Sequence, residues 1–297
     1  MLSVGFSGVI AAIVTPFDET GRVDVEALRV ITDYLIDGGV HGIMTTGGTG
    51  EFPNLLPQER RLVTQVVVEE AKGRVPVIAG TAACSTYETI LLTRDAAEAG
   101  ADGAIVVAPF YFPLPAESLY QHYVQVARET RFPIIVYNNP TYTGNNLSPD
   151  LIARLAEVEN IIGLKQSNAD MGQLVEVIRL VDDRLSVMTG IDSQFYPSLC
   201  VGGKGIFSTA AGILPRPVVK LYQAFIEGRH DEARQLNLRL QALNRFLEYE
   251  PGYVSPCKEA LNMLGLPGGK VRRPLPDLTP AERQGLAQAL ADLKAIS

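Results

Sequence analysis

Eight short runs of apolar, largely β-branched residues recur along the chain, each bounded by glycine, proline or polar residues. They are GVIAAIV (8–14), VHGIMTT (40–46), VPVIAGT (75–81), GAIVVAP (103–109), PIIVYNN (133–139), NIIGLKQ (160–166), LSVMTG (185–190) and KGIFST (204–209). None alternates apolar with polar residues, as a strand with one wet face does. Strands buried on both faces read this way, and they belong to parallel sheets. Between the runs lie stretches of helical periodicity, such as VEALRVITDYLIDGG (25–39) and YETILLTRDAAEAG (87–100), each ending at glycine as a helix C-terminus does. Eight strand–helix units predict an α/β fold of the (β/α)8 TIM-barrel type, for which about 250 residues is usual. An open, doubly wound sheet is the alternative.

The units are used up near residue 228. We read residues 1–228 as the barrel that carries the active site and 229–297 as a C-terminal helical extension. Leu236, Leu240, Leu243 and Leu247 share one helical face there. Ser255-Pro256 and Thr279-Pro280 each read as an N-cap followed by proline at the first helical position, and Glu282 completes a capping box with Thr279.

Composition removes several function classes. No segment approaches the ~18 apolar residues of a membrane span, and GVIAAIV lacks the basic flank of a signal peptide. The expectation is a cytoplasmic protein. The 26 basic residues against 33 acidic ones, with no basic block, argue against nucleic acid or an anionic membrane as partner. Cys84, Cys200 and Cys257 have neither metal nor redox spacing and read as buried free thiols. His41, His122 and His230 lie far apart, so no metal site is expected.

In barrels of this kind the active site lies at the C-terminal ends of the strands. Two residues stand out at those ends. Lys165 continues an apolar run in NIIGLKQSN, where a charged lysine is costly to bury. It is either a strand-end lysine with its head in water or paired, or a lysine whose pKa is lowered by desolvation and which forms a Schiff base with a carbonyl substrate. Tyr137 ends PIIVYNNP one strand earlier. Alone it reads as a rim tyrosine; beside a Schiff-base lysine its phenol can shuttle protons. The glycine-rich turn TTGGTGEF (45–52) follows the second strand, lacks the lysine of a P-loop, and does not fit a dinucleotide fingerprint. A small carboxylate held by its N–H groups and the Thr49 hydroxyl, next to an attacking lysine, describes a 2-oxo acid such as pyruvate. Glu51 reads as a base or, more simply, as an acidic residue at a helix N-terminus.

GGTGE (47–51), YNNPTYTG (137–144) and GLKQ (163–166), with TPF (15–17) and APFY (108–111), together resemble the dihydrodipicolinate synthase / N-acetylneuraminate lyase family over nearly the whole chain. The resemblance implies class I chemistry without a cofactor: a covalent imine on Lys165, Tyr137 as proton shuttle, and Gly48 with Thr49 as the carboxylate clamp. It implies that Tyr111 reaches into a neighbouring subunit's site of a homotetramer built as a dimer of dimers. It also implies that Gly190, Asp192 and Ser208 contact the substrate tail, where capping of the barrel rim is the alternative role.

Two departures shape the expectation. Gly48 stands where most members carry a hydroxyl residue, which removes the expected link between Tyr137 and Tyr111. None of residues 137–144 is arginine, with Tyr142 at the candidate position for the group that holds the second carboxylate in the biosynthetic synthase. The expected function is therefore a Schiff-base lyase of 2-oxo acids, an aldolase or dehydratase of a keto-deoxy sugar acid or similar hydroxy-oxo acid. Dihydrodipicolinate synthase, joining pyruvate to aspartate semialdehyde, is the runner-up, and a guanidinium such as Arg216 in the tail pocket would favour it. A non-catalytic 2-oxo-acid sensor is the rival from another class.

Overall fold

The protein is described here by a computed structural model covering residues 2–248 and 253–293. All eight expected strands form: β1 (Gly8–Ala12), β2 (Gly42–Thr45), β3 (Val77–Gly80), β4 (Gly103–Val107), β5 (Ile134–Asn138), β6 (Ile161–Gln166), β7 (Ser186–Thr189) and β8 (Gly205–Ser208). They are parallel and close in sequence order, with β8 pairing back onto β1. The open sheet is thereby excluded. Each strand sends one side chain to an interior cluster of Ile10, Met44, Ile78, Ile105, Ile135, Ile162, Met188 and Phe207. The opposite faces of the strands pack under the surrounding helices. Wetting neither face is what removed the period-two signal from the sequence.

The helices start where local chemistry directs. The helix Val25–Asp37 follows Asp24, whose side chain accepts from Ala27 N–H, and Thr86–Glu98 follows Ser85, which accepts from Glu88 N–H. Beyond the barrel, the helix His230–Leu247 buries Leu236, Leu240, Leu243 and Leu247. Each such side chain is worth roughly 1.5–3 kcal/mol when fully buried. They share one apolar cluster with Val9, Ala11 and Ile43 of the barrel and with Cys257, Leu261 and Leu286 of the last two helices. The Thr279–Glu282 capping box forms: Glu282 Oε2 accepts from Thr279 N–H at 2.7 Å, and Thr279 Oγ1 accepts from Glu282 N–H at 3.3 Å.

Ser255 is not an N-cap. The helix begins earlier, at Val254, and Ser255 Oγ instead donates to the Pro276 carbonyl at 2.6 Å. Pro256 is tolerated at the third helical position, two places further in than expected, because N–H groups of the first turn have no intrahelical acceptor to lose. The cysteines also differ from expectation: only Cys257 is buried, while Cys84, in the loop after β3, and Cys200, the last residue of the helix Phe195–Cys200, are exposed. All three are free thiols. No described helix is long and apolar enough to cross a membrane.

Candidate active site

Strand register brings the two prominent residues together. Tyr137 and Lys165 are direct partners across β5 and β6. The Lys165 side chain is buried, 6% exposed, with Nζ 4.3 Å from the centre of the Tyr137 ring and 5.7 Å from that of Phe207. Among the described residues no carboxylate lies within ion-pair distance of it. Gly190 makes room for this side chain, since a Cβ there would sit 2.4 Å from Lys165 Cε and 2.1 Å from Ser167 Oγ. Ser167 Oγ is buried without a hydrogen-bond partner among the described residues, and Gly190 holds it against the lysine. Tyr137 Oη accepts a 2.9 Å hydrogen bond from Asn139 Nδ2, which leaves its own proton free to donate.

Tyr137 opens onto a cavity of about 500 Å³ whose walls also include Gly48, Glu51, Phe52, Val107, Phe110, Asn139, Tyr142, Tyr253 and Leu275, with Lys165 behind the Tyr137 ring. Phe110 and Phe52 meet edge to face on one side, with ring centres 6.0 Å apart. Among the described residues no lysine, arginine or histidine lines this cavity. Arg216 lies away from it, on the helix Pro215–Ile226 close to Tyr34. A wider opening of about 1220 Å³ sits at the other end of the barrel, near the starts of β5 and β6, and contains neither Lys165 nor Tyr137. Chemistry, rather than size, selects the smaller cavity.

The glycine-rich turn is held by its flanks. Thr46 adopts a left-handed backbone (φ 47°) and donates from Oγ1 to the Gly80 carbonyl, while Thr15 Oγ1 donates to the Gly50 carbonyl at 2.8 Å. Among the described residues the N–H groups of Gly48 and Thr49 donate to no acceptor. Thr49 is buried, and its Oγ1 lies 3.3 Å from that of Thr209. Anion capture needs this combination of restrained backbone and unpaired N–H groups.

Glu51 stands at a helix N-terminus, as the residue that precedes the short helix Phe52–Asn54, and its carboxylate is engaged in an ion pair. It sits at φ 58°, wholly buried, in a 2.5 Å ion pair with Lys258, and its Oε2 accepts from Arg272 N–H and Asn54 Nδ2. Burial pulls the Lys258 pKa down, and the Glu51 charge opposes that pull. The pair pins the turn to the helix Val254–Met263. Nothing in the local sequence around either residue signals it, because the two meet only once the C-terminal helices cover the barrel.

Asp192 and Ser208 sit on the rim and satisfy one another. Ser208 Oγ donates to Asp192 Oδ1 and accepts from Ala211 N–H, while Asp192 Oδ2 accepts from the N–H groups of Thr209 and Ala210. Burial pushes Asp192 up to about 6 against these hydrogen bonds. The geometry gives both residues a capping role at the end of β8. Tyr111 points away from its own cavity: it is 84% exposed, has a left-handed backbone (φ 84°), and stacks edge-on against the exposed Phe112. Tyr253 is the wall residue that sequence reasoning missed. It lies far from every motif, and a lone tyrosine ahead of a helix carries no signal.

A closed eightfold barrel with a buried lysine that has no carboxylate partner among the described residues, and a tyrosine on the adjacent strand end, fits the class I type of lyase. The sequence profile of the Dihydrodipicolinate synthetase family matches residues 5–293. The 4-hydroxy-tetrahydrodipicolinate synthase of Syntrophobacter fumaroxidans is 41% identical over 286 residues, which is 96% of this chain and 98% of that protein. The crystal structure of dihydrodipicolinate synthase from Aquifex aeolicus superposes with a TM-score of 0.93 at 38% identity, covering 97% of this chain and 98% of the other. The chloride-inhibited dihydrodipicolinate synthase of Acinetobacter baumannii, complexed with pyruvate, gives 0.94 at 35% identity, covering 98% and 99%. The chain belongs to the dihydrodipicolinate synthase family and is a lyase of the class I aldolase type.

Proposed function

We propose that Lys165 condenses with a 2-oxo acid of the pyruvate type. The observation that carries this is a buried lysine with no carboxylate partner lying against the ring of Tyr137 at the mouth of the barrel. The neutral amine attacks the ketone. Tyr137 moves protons through the carbinolamine, water leaves, and the resulting imine draws electrons from the adjacent carbon. The N–H groups of Gly48 and Thr49, with the Thr49 hydroxyl, hold the substrate carboxylate. No cofactor is required.

The acceptor divides into two readings. The relatives carry the name 4-hydroxy-tetrahydrodipicolinate synthase over essentially their full length, and they support the reading ranked second from sequence, condensation with aspartate semialdehyde. The cavity walls favour the other: with no cation among the described residues to meet a second carboxylate, and with Asn54, Asn139, Thr143 and Tyr142 as neutral partners, they suit an uncharged hydroxylated tail. That is the tail of a keto-deoxy sugar acid or similar hydroxy-oxo acid. A non-catalytic sensor has no need of either Lys165 or Tyr137. The exposed Tyr111–Phe112 pair supports a subunit contact through the loop after β4, in line with a homotetramer, and the three free thiols suit a cytoplasmic enzyme.

Incubation with pyruvate followed by borohydride reduction tests the shared step, with the adduct expected on Lys165 by peptide mass spectrometry. The acceptor follows from assaying pyruvate consumption with aspartate semialdehyde against pyruvate release or water loss from keto-deoxy sugar acids. Consumption with the semialdehyde alone would establish the synthase.

A further inference from the structure

Gly48 and Tyr253 come from opposite ends of the chain and meet inside the cavity. Tyr253 leads into the helix Val254–Met263, and its phenol reaches so far inward that a Cβ on Gly48 would sit 2.2 Å from Oη and 3.5 Å from Cζ. The first distance is far inside van der Waals contact, and the second is ordinary contact. The phenol oxygen therefore occupies the space that a side chain at position 48 would fill. A serine hydroxyl, one bond beyond such a Cβ, would lie close to where Oη now lies.

The surroundings of this oxygen are those of a proton carrier. Thr49 follows Gly48 directly, and its Oγ1 is 3.3 Å from Thr209 Oγ1. The Tyr253 ring is 6.2 Å from that of Tyr142 and shares the cavity wall with Tyr137. Burial, reinforced by the neighbouring phenols of Tyr137 and Tyr142, holds Tyr253 well above the usual tyrosine range, so it keeps its proton at neutral pH. Tyr137, once it has donated, must recover a proton inside a cavity walled by Val107, Phe110, Val254 and Leu275 and lined, among the described residues, by no lysine, arginine or histidine.

We propose that the Tyr253 hydroxyl returns that proton, joining Tyr137 to the Thr49–Thr209 hydroxyl pair across the space that Gly48 leaves open. The inference rests on the imine reading of Lys165. In the balanced step, the carbinolamine C–O bond breaks as Tyr137 protonates the departing hydroxyl, and the nitrogen lone pair forms the C=N bond. Water leaves; Tyr137 takes a proton from Tyr253, and Tyr253 takes one from the Thr49 hydroxyl, which is resupplied from solvent.

The rate of imine formation with pyruvate, trapped with borohydride at successive times and read as the Lys165 adduct, tests this. Tyr253→Phe is expected to slow it on the order of 10²-fold with little change in pyruvate affinity. The double variant G48S/Y253F has room for the serine, because only Cζ remains at 3.5 Å, and is expected to recover to within about tenfold of wild type. G48A/Y253F restores the packing without the hydroxyl and is expected to stay slow. A wild-type rate in Y253F overturns the proposal, as does equal recovery in the alanine and serine doubles. A folded G48S/Y253F no faster than Y253F also overturns it. Absence of any adduct in the wild type is a separate result: it removes the imine reading itself, and the relay with it.

Discussion

Two lysines are buried among the described residues, both at the same end of the barrel, and their surroundings differ in one respect that decides their use. Lys258 has a carboxylate 2.5 Å away, donates to the Lys270 carbonyl at 2.8 Å, and lies over the Phe17 ring. Lys165 has aromatic rings and a serine beside it and no carboxylate among the described residues. A lysine bound to a buried carboxylate serves as a fastener, while one without such a partner has its amine available to a substrate. The chemistry of a buried lysine is thus set by its neighbour, not by its burial.

Exchanging the fates of the two lysines is the strongest test. Lys165→Ala is expected to remove the pyruvate–borohydride adduct and lower turnover by on the order of 10⁴-fold or more, with little effect on thermal unfolding. An adduct persisting elsewhere in the chain would break the comparison. Tyr137→Phe leaves the lysine in place and removes only the proton carrier. Turnover should fall by roughly 10²–10⁴-fold while the adduct still forms on Lys165, more slowly.

Lys258→Met should show the reverse profile. It leaves Glu51 buried and unpaired, and urea unfolding is expected to reveal a loss of about 3–5 kcal/mol. Glu51→Leu combined with Lys258→Met should recover most of that loss; no recovery would mean the lysine acts through something other than the pair. Gly190→Ala tests the room that Lys165 needs. Its Cβ would meet Lys165 Cε at 2.4 Å, so kcat should fall by about 10²-fold through misplacement, with unfolding nearly unchanged.

The smallest effect concerns Asp192, a buried carboxyl that has no ion-pair partner among the described residues but accepts hydrogen bonds. Its pKa is raised by burial from its ordinary 3.8 to about 6. The folded state therefore binds the proton more tightly than the unfolded one. Its stabilising contribution is full below about pH 4 and is lost as pH rises through about 6. The melting-temperature difference between wild type and Asp192→Asn should change across that window and be flat above it.

Much of the molecule was legible before any coordinates. Each strand announced itself through a run of β-branched residues, because both of its faces are dry, and strand identity depends on neighbours in the chain. Lys165 and Tyr137 were legible for a related reason: their places at the ends of successive apolar runs, combined with parallel closure, put them side by side. The glycine-rich turn at 45–52 followed from its glycines and the strand before it.

The tertiary structure decided what depends on closure. Glu51 is tied to Lys258 rather than exposed, Ser208 is engaged by Asp192, and Tyr253 fills the space beside Gly48. In each case the partners lie on elements brought together only when the barrel shuts and the C-terminal helices dock. Local periodicity reports which face of an element is apolar; it carries nothing about which distant residue will stand against that face. Sequence alone therefore determined the barrel, the lysine and its tyrosine. Whether that lysine is left unpaired, and what hydroxyls stand around it, was settled by contacts that exist only in the folded chain.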